Sequence, residues 1–199
     1  MGVVLAGGAS RRFGGSSKGL NEVGGRRILD RVASALRSIS EELVIVANDA
    51  SAVEWLPGVA VLADRLSGAG GLAGVDAALA TGRDALVVAW DMPFVTSQVL
   101  EAIVTRAMAT DADVVVPESE SPFGFEPFCA FYSARTGPAL SAFLAGGGRA
   151  PRDFLARLTR VERLSISEVS RLGDVRRMFL SVNSPDDLAT ARALDGVAQ

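Results

Sequence analysis

The sequence contains no histidine and only one cysteine, Cys129. Catalytic triads and histidine general bases require histidine, and the common zinc sites require histidine or clustered cysteine. A single cysteine also excludes an intramolecular disulfide framework. Any chemistry performed by this chain must therefore use carboxylates, hydroxyls, lysine and arginine, backbone amides or a bound hard cation.

Long apolar runs are absent as well, since no segment reaches the roughly 18 to 20 apolar residues of a membrane span. The first five residues lead directly into glycines, which indicates a buried strand and not a signal peptide. We therefore expect a cytoplasmic protein without a membrane partner. The net charge of −3 argues against a protein that coats nucleic acid, although it is compatible with a local basic pocket.

The chain has 199 residues, of which 49% are hydrophobic and 22% are charged. This length and composition predict a single domain over residues 1–199 with a buried core. Short apolar runs, typical of strands covered on both faces, occur at residues 3–5, 43–47, 59–62, 85–89 and 114–116.

Between these runs, apolar residues recur at helical spacing, as in residues 28–36 and in residues 99–104, which follow a predicted N-cap at Thr96. This alternation predicts an α/β fold with a doubly wound, mostly parallel sheet, in which the first and fourth strands are neighbours. Beyond Pro117 the rhythm changes to a loop at 119–124, a strand at 128–132, helices at 140–144 and 153–158, and a last helix opening at Ser184 and Pro185. We therefore expect an elaborated C-terminal half.

The strongest chemical signal follows the first predicted strand, where residues 5–18 read LAGGASRRFGGSSK. Glycines let backbone amides approach a ligand, and successive amides form an anion-binding concavity. Arg12 and Lys18 would add positive charge for a polyphosphate. The spacing of a P-loop is absent. The alternative is a surface loop that carries ordinary cations.

A second signal is Asp91, which follows the apolar run 85–89. In open α/β sheets, ligands bind at the carboxyl ends of the strands. A lone carboxylate among phosphates is a natural Mg²⁺ ligand, because this ion retains waters and shares substrate oxygens. If the first and fourth strands are neighbours, Asp91 faces the loop at Gly7 and Gly8. The alternative is an aspartate that caps the next helix.

A third signal is the second glycine-rich segment, residues 68–73, which matches the dinucleotide pattern G-x-G-x-x-[GA]. Asp91 lies near the distance along the chain at which an acid would bind ribose. This pattern leaves an NAD-dependent oxidoreductase as an alternative. However, such a fingerprint normally follows the first strand of its unit, and this interpretation does not explain the richer loop after residue 5.

Together these segments resemble the molybdenum cofactor guanylyltransferases of the MobA type. That family opens L-A-G-G-x-S-R-R-M-G-x-x-D-K, and residues 5–18 follow this opening closely. Later segments match in the same order: residues 64–74 with D…G-P-L-A-G, 91–94 with D-x-P-[FY], 126–132 with E-P-L-x-A-x-Y, and 182–188 with V-N-T-P-E-[DE]-L. The resemblance thus covers nearly the whole chain.

The sequence departs from the family pattern at several positions. Ser17 replaces an aspartate, Gly71 a proline, Phe13 a methionine and Ser184 a threonine. An asparagine expected near the end of the second strand is either absent or displaced to Asn48. Loss of the acid beside Lys18 bears on metal affinity and rate more than on family identity.

The resemblance implies a Rossmann-like nucleotidyltransferase fold that transfers GMP from GTP to the terminal phosphate of molybdopterin and releases pyrophosphate. It assigns residues 1–116 to nucleotide binding and residues 117–199 to acceptor binding. It implies that Asp91 holds Mg²⁺ and that the catalytic residues are Lys18, Arg12 and Asp91. The implied nucleotide-binding residues are Leu5, Ala6, Gly7, Gly8, Lys18, Asn48, Asp64 and Asp91. The implied acceptor-binding residues are Glu126, Pro127, Arg149, Arg152 and Asn183.

Several alternatives remain open at this stage. The family tendency of L-A-G-G enzymes to use GTP makes Gly8 favour GTP over CTP, but a cytidylyltransferase or another small-molecule nucleotidyltransferase stays possible. Ser17 leaves room for a non-catalytic protein that binds nucleotide or pterin. Arg149 and Arg152 could be ordinary solvent-exposed side chains at the start of a helix, and Asn183 could cap the last helix. Cys129, Trp55 and Trp90 are expected in the core. The expected partners are GTP, molybdopterin and, transiently, cofactor-handling proteins.

Overall fold

The computed structural model describes residues 1–6, 18–66 and 70–196. Within these ranges, seven strands form one sheet: β1 (Gly2–Leu5), β4 (Leu43–Val46), β5 (Ala60–Leu62), β6 (Ala85–Ala89), β7 (Val114–Pro117), β8 (Cys129–Tyr132) and β9 (Val161–Leu164). Two short strands, β2 (Glu22–Val23) and β3 (Arg26–Arg27), form a separate antiparallel hairpin.

The strand order of the sheet is β5-β4-β1-β6-β8-β7-β9. Strand β1 lies between β4 and β6 and is parallel to both, which confirms that the first and fourth predicted strands are neighbours. Only β8 is antiparallel to its neighbours, β6 and β7. The connection over residues 118–128 contains no helix, so it cannot make the crossover that a parallel strand requires, and the chain returns antiparallel.

Helices cover both faces of the sheet. The longer ones are α1 (Ile28–Arg37), α3 (Gly71–Leu79), α4 (Ser97–Thr110), α5 (Gly137–Ala145) and α9 (Pro185–Gly196), and the short ones are α2 (Ala52–Trp55), α6 (Pro151–Leu155), α7 (Ile166–Val169) and α8 (Val175–Met178). One core contains buried residues of α1, α4 and α9, and a second contains those of α3, α5 and α6. Side chains of β1 alternate between the cores, with Val4 in the first and Val3 and Leu5 in the second. The mostly parallel, doubly wound α/β fold is therefore confirmed.

Local signals in the sequence explain the ends of several elements. The Thr96 hydroxyl accepts the Val99 amide at 3.4 Å and caps α4 as predicted. The Ser184 hydroxyl accepts the Asp187 amide at 3.2 Å, so Ser184 and not Asn183 caps α9. The helix predicted at 153–158 instead spans Pro151–Leu155, since proline favours the first turn.

The second glycine-rich segment is explained in part by packing. A Cβ atom on Gly71 would lie 2.5 Å from Cζ of Phe128, and one on Gly74 would lie 2.8 Å from Cδ2 of Leu5. These glycines let the start of α3 approach its neighbours closely, but neither is a fixed position of the G-x-G-x-x-[GA] pattern. Gly70, which is one, has a φ of +69°, a backbone conformation that favours glycine. Gly68 and Ala69 of the predicted fingerprint lie outside the described residues.

Other predicted core residues are buried. Cys129, Trp55 and Trp90 lie in the core as expected. Burial raises the pKa of the Cys129 thiol well above its usual range, with the nearby charge of Glu126 adding a smaller increase. Among the described helices, none has the length and apolar character needed to cross a bilayer.

A buried carboxylate links the two helices on the second face. Asp76 of α3 is 2% exposed, and its Oδ1 accepts a short hydrogen bond from the hydroxyl of Ser141 in α5. Its Oδ2 lies 3.6 Å from the half-exposed Arg65 guanidinium. Because a buried carboxylate needs hydrogen-bond partners, this contact ties α3 to α5.

We expect Ser141→Ala to lower the free energy of unfolding by about 1–3 kcal/mol, because it removes a partner of the buried Asp76 carboxylate. Urea unfolding measures this change. The matched control is Ser170→Ala, since that exposed hydroxyl bonds only the nearby Ser167 carbonyl. Equal, small effects of the two substitutions would contradict the structural role of Asp76.

Candidate active site

The carboxyl ends of β1, β4 and β6 meet at one edge of the sheet. The Ala6 amide donates to the Val46 carbonyl at 2.9 Å, and the Trp90 amide donates to the Leu5 carbonyl at 3.1 Å. Asp91 follows immediately, two residues beyond the end of β6. The predicted acid therefore lies where open α/β sheets bind ligands.

Three side chains from distant parts of the chain meet at this edge. The Lys18 ammonium donates a short hydrogen bond to Oδ2 of Asp91 and a bond of 2.7 Å to Oδ1 of Asn183. The backbone carbonyl of Asp91 accepts the Val182 amide at 2.8 Å, which holds the segment before Asn183 in place. We call Lys18, Asp91 and Asn183 the lysine cluster. The cluster unites two predicted catalytic residues, Lys18 and Asp91, with the predicted acceptor-binding residue Asn183. Asp91 is also the predicted metal ligand.

The lysine cluster leaves one carboxylate oxygen of Asp91 without a partner. Oδ1 is buried and accepts no hydrogen bond within the part of the chain that the structure describes. A buried acceptor of this kind is costly unless a ligand satisfies it. No group of three or more potential metal-ligating side chains occurs among the described residues. The site therefore fits an ion that takes one protein carboxylate and completes its shell with water and phosphate oxygens, as Mg²⁺ does.

A tryptophan pair supports the backbone next to Lys18. A Cβ atom on Gly19 would lie 2.4 Å from Cε3 of Trp90, so the backbone here rests directly on the indole. Trp90 stacks on Trp55 with ring centroids 5.0 Å apart and planes inclined by 22°. Both tryptophans are in the core as the sequence predicted, but their support of the Lys18 backbone was not predicted. One feature of the sequence indicates it, since Gly19 directly follows Lys18 and Trp90 directly precedes Asp91.

Asn48 and Asp64 form a second polar pair at the ends of β4 and β5. The Asn48 side-chain amide donates to Oδ2 of Asp64 at 2.8 Å, and the Asp64 backbone amide donates to Oδ1 of Asn48 at 2.9 Å. A Cβ atom on Gly74 would lie 3.6 Å from Oδ1 of Asp64 and 2.8 Å from Leu5. These two predicted nucleotide-binding residues therefore lie together, beside the end of β1.

Glu126 occupies a buried position in the loop between β7 and β8. Its Oε1 accepts the Ser119 hydroxyl at 2.5 Å. Burial raises the pKa of the Glu126 carboxyl, and the negative charge of Asp91 adds a smaller increase, while hydrogen bonds from Ser119 and Ser121 oppose these effects. The neighbouring Pro127 carbonyl accepts the Tyr132 hydroxyl at 2.8 Å.

The other predicted residues are not brought to the lysine cluster by any described contact. The Arg149 guanidinium donates to the carbonyls of Leu144 at 2.9 Å and Gly148 at 2.6 Å, which completes the end of α5. The Arg152 guanidinium donates to the Phe123 carbonyl at 3.0 Å. The predicted residues Gly7, Gly8 and Arg12 lie outside the described residues.

The fold and the lysine cluster define an α/β protein whose ligand site, at the carboxyl edge of the sheet, suits phosphates and a hard cation. The chain belongs to the family of the MobA-like NTP transferase domain, whose model matches residues 2–162.

Individual relatives match over nearly their whole length. The molybdenum cofactor guanylyltransferase of Desulfosudis oleivorans is 34% identical, with 96% of this chain and 94% of the relative covered. That of Cereibacter sphaeroides is also 34% identical, with 97% and 95% covered. Among solved structures, the molybdopterin-guanine dinucleotide biosynthesis protein A of Archaeoglobus fulgidus superposes with a TM-score of 0.83 at 27% identity, with 99% of this chain and 100% of that chain covered.

We expect Gly19→Ala to destabilise the protein by about 1–3 kcal/mol, because the new methyl group overlaps the Trp90 ring. Since Trp55 and Trp90 are the two tryptophans of the chain, the substitution should also shift the fluorescence emission. Gly196→Ala is the control, as its added Cβ atom meets open space. Unchanged stability and emission in Gly19→Ala would contradict the supporting role of Trp90.

The raised pKa of Glu126 gives a second prediction. A carboxyl whose pKa is higher in the folded state stabilises fully below its unfolded pKa, and this contribution is lost as the pH rises through the folded pKa. The neutral Glu126→Gln variant should therefore gain stability relative to the native protein as the pH increases from 4 to 8. Urea unfolding across this range measures the difference. A stability difference between Glu126→Gln and the native protein that does not change with pH would contradict the prediction.

Proposed function

We propose that the protein transfers a guanylyl group from GTP to the terminal phosphate of molybdopterin and releases pyrophosphate. The observation that carries this proposal is the 34% identity over 96% of the chain to a molybdenum cofactor guanylyltransferase. The lysine cluster supports it, because a phosphoryl-type transfer depends on positioned positive charge.

The chemical step needs no general base from the protein. An oxygen of the acceptor's terminal phosphate attacks the α-phosphorus of GTP in line, and a new P–O–P bridge forms. The bond from the α-phosphorus to the oxygen bridging it to the β-phosphate breaks, and its electrons leave with pyrophosphate. A phosphate monoester is largely dianionic at neutral pH, so no proton must be removed from it. This chemistry is compatible with a chain that lacks histidine.

The protein's contribution is then to position groups and neutralise charge. Lys18 and Arg12 would contact the phosphates, while the backbone amides of Gly7 and Gly8 would hold the nucleotide. Asp91 would hold Mg²⁺ through Oδ1, which accepts no hydrogen bond from residues 1–6, 18–66 and 70–196. When bound, this ion would neutralise part of the polyphosphate charge. Asn48 and Asp64, already hydrogen-bonded together, would contact the guanosine.

The acceptor would bind toward the second half of the chain. Asn183 is the candidate that already contacts the lysine cluster. Glu126 and Pro127 lie in the loop before β8, and the charge of Asp91 influences the Glu126 carboxyl. Arg149 and Arg152, which now bind backbone carbonyls, would have to exchange these contacts to reach an acceptor phosphate.

The decisive experiment is a transfer assay with purified protein, molybdopterin, Mg²⁺ and either GTP or CTP, read out as dinucleotide product and released pyrophosphate. We expect product with GTP. Lys18→Met and Asp91→Asn should each reduce kcat about 100-fold or more, because each removes one group of the ion pair. The control Glu101→Gln removes an exposed charge on α4 and should keep full activity.

The results of this assay test the proposed reaction and the proposed role of Asp91 independently. Product with CTP alone would overturn the nucleotide preference, and no product with either nucleotide would overturn the transfer itself. GTP-dependent transfer that Asp91→Asn leaves unchanged would instead remove Asp91 from its proposed role while the reaction stands.

A further inference from the structure

A cavity lies between α1 and the start of α4, and α8 closes one side. Its volume is about 560 Å³, within the range of roughly 300 to 1,000 Å³ that is usual for small-molecule sites. The segment Pro93–Ser97 forms one wall. In the described parts of the chain, the cavity lining shares no residue with the lysine cluster.

Three arginines and one aspartate line this cavity: Arg26, Arg31, Arg177 and Asp174. Asp174 caps α8 and accepts the amides of Arg176 at 2.9 Å and Arg177 at 3.2 Å, so backbone donors already compensate its charge. The lining is therefore cationic, although the chain as a whole carries a net charge of −3. It is a local basic pocket, which is compatible with the slightly negative net charge of the whole chain.

Two of the arginines are held in defined positions. The Arg31 guanidinium donates to the Val23 carbonyl at 3.0 and 2.7 Å and pairs with Asp195 at 2.9 Å. The Arg177 guanidinium lies 4.8 Å from the centre of the Phe94 ring. A guanidinium stacked on a ring keeps its N–H edge free for planar, bidentate recognition of a phosphate or carboxylate.

The third lining arginine, Arg26, is exposed on β3. Its side chain is therefore free to adjust its position to a ligand. Within residues 1–6, 18–66 and 70–196, the structure gives the guanidinium groups of Arg26 and Arg177 no carboxylate or carbonyl acceptor. Two such groups beside a fixed third arginine suit a ligand with more than one anionic group. Nucleic acid fits poorly, because the cations line one cavity and do not form a stripe.

We propose that this cavity binds a small molecule that carries at least two phosphate or carboxylate groups, at a site separate from the lysine cluster. Its specificity comes from the stacked fork of Arg177 and the charge of Arg26. The proposal does not depend on guanylyl transfer, because none of these arginines belongs to the proposed catalytic machinery.

Isothermal titration with inorganic tripolyphosphate and, separately, citrate tests this proposal and distinguishes phosphate from carboxylate ligands. The titrations use Lys18→Met protein without divalent cations, which weakens phosphate binding at the transfer site. We expect at least one of the two probes to bind. Adding Arg26→Gln and Arg177→Gln should weaken this binding at least tenfold, whereas adding Arg83→Gln and Arg157→Gln, which remove two exposed charges elsewhere, should leave it unchanged.

Arg177→Lys alone keeps the charge but removes the planar fork, so it should weaken binding by a smaller factor and guards against a double variant that fails to fold. The proposal is overturned if neither probe binds at 10 mM. It is equally overturned if the Arg26→Gln and Arg177→Gln pair leaves the affinity unchanged, or if the control pair lowers it as much.

Discussion

The burial of the Asp91 carboxylate is the constraint on which the rest of the site depends. A carboxylate that is 9% exposed needs compensation, since an uncompensated buried charge is strongly destabilising. The Lys18 ammonium compensates one oxygen, and Oδ1 has no partner among the described residues. The folded protein thus presents a fixed negative atom at the edge of the sheet, where a cation would be most favourable. Asn183 holds the same ammonium from the other side and limits its movement.

The topology of the sheet makes this arrangement possible. Because β1 lies between β4 and β6 and is parallel to both, the residues that follow these strands start at the same edge of the sheet. The close contact between Gly19 and Trp90 holds the backbone beside Lys18 against the indole that precedes Asp91. A Cβ atom at position 19 would overlap this indole, so the contact requires glycine. The start of α9 brings Asn183 to the same place from the far end of the sequence. Residues that lie 73 to 165 positions apart are therefore positioned by tertiary structure and not by local structure.

The sequence predicted those features that depend on local patterns. Continuous apolar runs indicated the parallel strands, and the shared edge of such strands placed Asp91 opposite the glycine-rich loop at Gly7 and Gly8. Strand β9 was missed because its Val-Glu-Arg-Leu pattern, with charges at the sheet edge, resembles a loop. The antiparallel direction of β8 depends on a connection without a helix, and the contact of Asn183 with Lys18 depends on tertiary structure. The roles of Gly7, Gly8 and Arg12 remain predictions from the sequence.

Glycine-rich segments illustrate why composition alone misleads. Gly71 and Gly74 lie in and next to a segment that matches a dinucleotide fingerprint, yet a side chain at either position would overlap Phe128 or Leu5. Close packing of a helix on a strand and close approach of a backbone to phosphate make the same demand, the absence of a Cβ atom. What separates the two is the charge nearby. Lys18 and Asp91 bring opposite charges to the carboxyl edge of the sheet, whereas the contacts of Gly71 and Gly74 are mainly apolar. The ion pair and not the glycines is therefore the basis for proposing a phosphate site at this edge.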